Sequence, residues 1–188
     1  MPDSLNLKTV TFSLDGKYVT VPEGTTIWEA ANAKGTLIPH LCHKPSTGYR
    51  ADGNCRACMV EIEGERVLAA SCIRDVTDGM VVNTATERAE KSRALITELL
   101  AADQPDVSHD KSSHLAEMMQ LNNVEESRFP SRQADHVPLL DDSHVAMRVN
   151  LDACIHCNLC VRACRQVQVD HVIGMARLGH DAHRGSAP

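Results

Sequence analysis

The chain has 188 residues, room for one ordinary domain or two small ones, and a formal net charge of -6, which argues against a nucleic-acid or anionic-membrane surface because both need a concentrated positive field. No apolar run approaches the roughly 20 residues needed to span a bilayer, so no membrane insertion is expected. Eight cysteines are far more than a reducing compartment normally tolerates without a purpose. Met1 to Val10 has no basic start, apolar core or small-residue cleavage site, so nothing there reads as a signal peptide. A cytoplasmic location is therefore the default, and clustered cysteines there bind metal or do redox chemistry more often than they form disulfides.

In chain order, Leu7 to Leu14 alternates, and Lys17 to Val21 follows after Asp15-Gly16, a dipeptide that favours a type I′ hairpin turn. Thr26 and Glu29 make a capping box ahead of Ile27, Trp28, Ala30 and Ala31, and Gly35 is placed to end that helix in the left-handed conformation. Trp28 is the single tryptophan and reads as core. From Cys42 to Cys58 the chain is rich in Pro, Gly, Ser and Asn and has no period, so it is a loop. Met59 to Ile62 and Arg66 to Ala70 form a second hairpin around Glu63-Gly64-Glu65, and Met80 to Thr84 a last short strand.

Thr84 with Glu87 makes another capping box, and Leu95, Ile96, Leu99 and Leu100 fall on one face of a helix from about Thr86 to Ala102. Asp103 to Lys111 reads as a loop, Leu115 to Leu121 as a short helix, and Arg128 to Asp142, with Pro130 and Pro138, as irregular chain. His136 and His144 lack ligand spacing and read as surface residues. His144 to Asn150 alternates weakly, Val161 to Val167 suggests a helical turn or two, and Ala176 to Pro188 reads as a flexible tail, whose His180, Asp181 and His183 make a weak metal motif.

All eight cysteines fall into two groups. Cys154, Cys157, Cys160 and Cys164 follow C-x2-C-x2-C-x3-C, the spacing of a bacterial-type [4Fe-4S] site. Zinc sites instead tend to pair two C-x2-C knuckles across about a dozen residues or more. Cys42, Cys55, Cys58 and Cys72 place one C-x2-C turn between two distant single cysteines, as plant-type [2Fe-2S] domains do with other loop lengths. A four-thiolate zinc site remains open for this quartet. In two-cluster ferredoxins the fourth cysteine of such a run ligates the other cube, and this chain has no second run. Cys164 therefore closes its own cube, or the chain is a piece of a longer one, or His171 or a partner residue completes the site. Arg50, Arg56, Arg66 and Arg74 near the first group and Arg162 and Arg165 at the second are either solvated charge or cations that raise a cluster's potential.

Gly53 to Glu61 (Gly-Asn-Cys-Arg-Ala-Cys-Met-Val-Glu), Ala70-Ser71-Cys72, Asp78-Gly79-Met80 and Val82-Asn83-Thr84 resemble the amino-terminal [2Fe-2S] domain of the large iron-sulfur subunit of respiratory complex I and its relatives. Asn150 to Arg165, ending at Val172-Ile173-Gly174, resembles the first half of the twin [4Fe-4S] segment there. Ser127 to Pro130 and Ser143 to Arg148 lean towards the alpha subunit of soluble, molybdenum-dependent NAD-linked formate dehydrogenase. Two departures stand out. Where the family has an H-x3-C-x2-C-x5-C site, His109 is kept but Ser113, Ala116 and Asn122 replace the cysteines, so that cluster is expected to be absent. The second cysteine run and the molybdopterin domain that follow in the family lie beyond Pro188, so any catalytic centre is expected elsewhere.

The resemblance implies an α+β chain. Residues 1–84 would form a β-grasp [2Fe-2S] ferredoxin domain, 85–142 a helical connector and irregular linker, 143–175 a bacterial-ferredoxin-like [4Fe-4S] segment, and 176–188 a flexible tail. It implies a [2Fe-2S] cluster on Cys42, Cys55, Cys58 and Cys72, and a [4Fe-4S] cluster on Cys154, Cys157 and Cys160 with Cys164. It implies electron transfer between a molybdopterin-containing formate-oxidising subunit or domain and a flavin/NAD-binding iron-sulfur subunit, without a catalytic residue of its own. The alternatives are a diaphorase subunit of an NAD-linked hydrogenase or of complex I and, from another class, a zinc-stabilised interaction module.

Overall fold

The computed structural model describes residues 8–45, 48, 50–104, 113–130, 140–145, 147–150, 154–176 and 183–186. His109, His136, His180 and Asp181 lie outside the described residues. The chain divides into two compact units, one comprising Met1–His40 with Arg56–Arg93 and the other Leu41–Cys55 with Ala94–Pro188.

Unit one is built on a five-stranded mixed sheet. β1 (Thr9–Leu14) and β2 (Lys17–Pro22) pair antiparallel, with Val10 opposite Val21 and Phe12 opposite Val19. Asp15 and Gly16 turn between them with φ of 48° and 78°, the two positive values a type I′ turn requires. β3 (Met59–Ile62), β4 (Ala69–Ala70) and β5 (Val81–Asn83) complete the order β2-β1-β5-β3-β4, with β5 parallel to β1 and antiparallel to β3. This agrees with the β-grasp expectation. Alternation on β1 sends Val10, Phe12 and Leu14 inward, where Val19, Val60, Ile62 and Val82 are also buried.

α1 (Ile27–Ala33) starts at the expected capping box: the Glu29 amide donates to Thr26 Oγ1 while the Glu29 carboxylate accepts from the Thr26 amide. It ends at Gly35 (φ 76°), with Thr36 N-H donating to the Ala31 carbonyl and Gly35 N-H to Asn32, a Schellman arrangement. Trp28 is buried, and its Nε1-H donates to the Ile38 carbonyl at 3.1 Å.

α2 (Glu87–Ala102) corrects one expectation. Its cap is Thr86, whose Oγ1 accepts from the Ala89 amide. Thr84 donates instead, through its amide and hydroxyl, to the Asp15 carboxylate at 2.7 and 2.8 Å. The leucine face of this helix is not its most buried one. Leu95 and Leu99 are 39% and 46% exposed, whereas Ala89, Arg93 and Thr97, spaced one turn apart, are buried. Of these, Arg93 donates to the carbonyls of Met59 and Thr84, and Thr97 Oγ1 accepts from a side chain of unit two.

In unit two, α3 (His114–Leu121) is capped by Ser113, which accepts from the Ala116 amide, and ends at Asn122, whose Nδ2 donates to Thr97 Oγ1 at 2.9 Å. Ser113 and Asn122, two of the three positions where the family resemblance would set cysteines, thus carry helix caps. β6 (Leu140–His144) and β7 (Met147–Asn150) form a hairpin, which corrects the reading of Arg128 to Asp142 as wholly irregular. α4 (Leu159–Arg162) runs into a π-helical segment, Ala163–Gln168, followed by β8 (Ile173–Ala176). β8 pairs with β9 (His183–Ser186), so the expected tail 176–188 supplies a strand. No helix of the described residues is long and apolar enough to cross a membrane.

Candidate metal centres

Cys42 and Cys55 belong to unit two, and Cys58 and Cys72 to unit one. Cys58 sits one residue before β3, and Cys72 two residues after Ala70 of β4, so the β3–β4 pairing of Met59 with Ala70 draws both into the sheet's end. Ser71 tightens this end: its amide and hydroxyl both donate to the Cys58 carbonyl, at 3.2 and 2.8 Å. Cys58 and Cys72 are buried, as is Cys42, and Cys55 is half-buried. The Cys42 amide donates to Cys55 Sγ at 3.4 Å, the kind of N-H···S bond that favours a thiolate or a cluster sulfur. The loop reaches this geometry through left-handed turns at Gly53 (φ 65°) and Arg56 (φ 58°).

Arg93 is the residue here that sequence reasoning missed. Its guanidinium is buried, and Nη1 donates to the carbonyls of Met59, next to Cys58, and of Thr84 at 2.9 and 2.8 Å. Burial pushes it below its ordinary value, while the Glu90, Cys58 and Asp15 groups act in the opposite sense. No signal in the sequence marked it, because it lies on a helix at a position where a charge ordinarily faces water. Of the arginines named from sequence, Arg74 pairs with Glu65 at 2.6 Å, while Arg50, Arg56, Arg66 and Arg165 are exposed.

The second group is held within unit two. Cys154, Cys157 and Cys160 are half-buried and Cys164 is buried, none of the four in a disulfide. His156 (φ 53°) and Asn158 (φ 63°) are left-handed, and the His156 amide donates to Cys154 Sγ at 3.4 Å. Left-handed residues in such a loop can turn a backbone amide towards sulfur, and the His156 bond to Cys154 is of that kind. The π-helical turn places Cys164 after α4, and π-bulges of this kind often mark functional sites. His171 is exposed.

The run also touches the loop of the first group. Asn54 Nδ2 donates to the His156 carbonyl at 3.4 Å, Asn158 Nδ2 to Asp52 Oδ2 at 3.1 Å, and Arg162 Nη1 to the Cys42 carbonyl at 3.4 Å. Among the described residues no three Cys, His, Asp or Glu side chains gather about one point. A cluster takes each thiolate at a separate iron corner, and the N-H···S bonds to Cys55 and Cys154 fit that donor chemistry.

Residues 7–87 match the family model described as 2Fe-2S iron-sulfur cluster binding domain. These residues form a [2Fe-2S] ferredoxin-type domain. The match spans Cys42, Cys55, Cys58 and Cys72 together. Over the wider chain, 180 residues are 32% identical to the NADP-reducing hydrogenase subunit HndD of Solidesulfovibrio fructosivorans, covering 92% of this chain and 30% of that protein. The mitochondrial NADH-ubiquinone oxidoreductase 78 kDa subunit of Candida albicans is 31% identical over 187 residues, 97% of this chain and 26% of its own. A subunit of the NADH-quinone oxidoreductase of Mycobacterium tuberculosis is 34% identical over 90% of this chain and 22% of its own. The chain thus spans less than a third of the length of these relatives. A crystal structure of an NAD+-reducing [NiFe]-hydrogenase in the H2-reduced state superposes with a TM-score of 0.82 at 28% identity, covering 94% of this chain and 74% of that one. The chain is related to iron-sulfur subunits of NAD-linked oxidoreductases.

Proposed function

We propose that the chain is an iron-sulfur electron-transfer subunit, or a segment of one, in a cytoplasmic NAD-linked oxidoreductase complex. The observation that carries this is the pairing of a ferredoxin-type domain with a second group of thiols in which the amide of left-handed His156 donates to Cys154 Sγ. In this reading Cys42, Cys55, Cys58 and Cys72 hold a [2Fe-2S] cluster, and Cys154, Cys157 and Cys160 hold a [4Fe-4S] cluster with Cys164 as fourth ligand. When bound, such clusters supply one-electron redox chemistry, in plant-type relatives near about -400 mV. The protein's own residues keep water out, through the burial of Cys42, Cys58, Cys72 and Cys164, and donate hydrogen bonds to sulfur.

Two machines fit. The runs Ser127 to Pro130 and Ser143 to Arg148 support a formate-oxidising complex, in which this chain links a molybdopterin-containing subunit to a flavin/NAD-binding iron-sulfur subunit. The relatives support the diaphorase side of a hydrogenase or complex I. Iron and acid-labile sulfide analysis of anaerobically purified protein tests the carrier reading. The expected result is equal iron and sulfide, in the sum of one [2Fe-2S] and one [4Fe-4S] per chain. Zinc without sulfide would replace it with a zinc-stabilised interaction module. Co-purification from the native source separates the machines, since a molybdenum protein, a nickel-iron protein or a membrane arm would each arrive with a different one.

A further inference from the structure

Arg162 is 5% exposed, although arginine is almost never buried without an anionic or hydrogen-bonding environment to meet it. It lies on α4, two residues after Cys160 and two before Cys164, and its Nη1 donates to the carbonyl of Cys42 at 3.4 Å. One guanidinium therefore belongs by chain position to the second cysteine group and by contact to the first. Arg165, three residues on, is exposed to solvent and has no such position.

We infer that Arg162 is a positioning residue shared by both cysteine groups, whose fixed buried charge raises the reduction potential of each cluster they hold. The inference rests on the electron-transfer reading above. Reduction adds an electron to a site already negative from its thiolates, and a cation held in a low-dielectric interior favours that added charge far more than one in water. Arginine suits the role because its planar guanidinium is more weakly hydrated than an ammonium and so is buried at lower cost.

The test is an EPR-monitored redox titration of the iron-loaded chain, comparing wild type with Arg162→Met, Arg162→Lys and Arg165→Met. The wild type must first show both signals; their absence would refute the electron-transfer reading itself and is distinct from any effect of substitution. Arg162→Met should shift both midpoints negative by on the order of 59 mV, a tenfold change in the oxidised-to-reduced ratio of a one-electron couple. Arg162→Lys should recover much of both shifts, and Arg165→Met should move neither. A shift in the [4Fe-4S] midpoint alone, or in neither, overturns the inference. Should Arg162→Met lose iron, Arg162→Gln keeps a donor for the Cys42 carbonyl without the charge and makes the same comparison. Loss of both clusters in the neutral variants with retention in Arg162→Lys supports the charge role, whereas loss in Arg162→Lys as well assigns Arg162 to packing and overturns it.

Discussion

Cys58 and Cys72 are fixed by a sheet, while Cys154 to Cys164 are fixed by a loop, a short helix and side-chain hydrogen bonds. The first pair inherits the register of β3 and β4, and behind it lies a core of Phe12, Val60 and Val82, each fully buried. The second run leans on single contacts, Asn54 to His156, Asn158 to Asp52 and Arg162 to Cys42. A sheet-held site is as rigid as its core, so only core damage loosens it. A loop-held site can be loosened one hydrogen bond at a time, and its stability is local.

The largest effect should come from that core. Phe12→Ala removes a ring with 0% exposure and is expected to cost about 3–5 kcal/mol in denaturant unfolding of unit one. A cost below about 1 kcal/mol would mean that the sheet is not what holds Cys58 and Cys72. Arg93→Met comes next. It leaves the Met59 and Thr84 carbonyls without their donor and should cost about 1–3 kcal/mol, with hydrogen exchange at Val60 and Asn83 rising before global unfolding.

At the loop-held site, Asn158→Ala loses the bond to Asp52 and puts alanine at φ 63°, a combined cost of about 1–2 kcal/mol. Asn158→Gly loses the bond without the backbone penalty and should cost less. Hydrogen exchange across residues 154–164 reads both, and equal effects would show that the left-handed turn carries no strain.

The smallest effect concerns pH. Glu98 accepts from Arg128 Nε at 2.7 Å and Nη2 at 3.1 Å, and these bonds hold its carboxyl below the ordinary 4.5. A depressed carboxyl stabilises the fold above about pH 4.5 and loses that contribution as pH falls through the lowered value. The melting-temperature gap between wild type and Glu98→Gln should therefore narrow below about pH 4.5, and a gap independent of pH would contradict the pairing.

What the sequence made legible was local. The Asp15-Gly16 turn, the Thr26 and Glu29 capping box and Gly35 each depend on residues within one turn of chain, and each is observed where expected. What it hid was contact across long separations. Thr84 was read as a cap because Glu87 lies three residues on, but its amide and hydroxyl answer Asp15, 69 residues away. Arg93 gave no local sign at all, yet it is buried on α2 and donates to the carbonyls of Met59 and Thr84, 34 and 9 residues away. β9 carries His-Arg-Gly-Ser, with neither alternation nor branched side chains, so only its pairing with β8 reveals it. The cysteine spacings marked both candidate groups, but not the Asn54, Asp52, Asn158 and Arg162 contacts over 102 to 120 residues.

The most direct test of two distinct cluster sites is EPR of dithionite-reduced, anaerobically purified protein, with Cys55→Ser and Cys157→Ser beside the wild type. The account predicts a rhombic signal visible at relatively high temperature, lost in Cys55→Ser, and a fast-relaxing signal seen only near liquid-helium temperature, lost in Cys157→Ser. A colourless wild-type protein with no signal, carrying zinc in place of iron and sulfide, would contradict it.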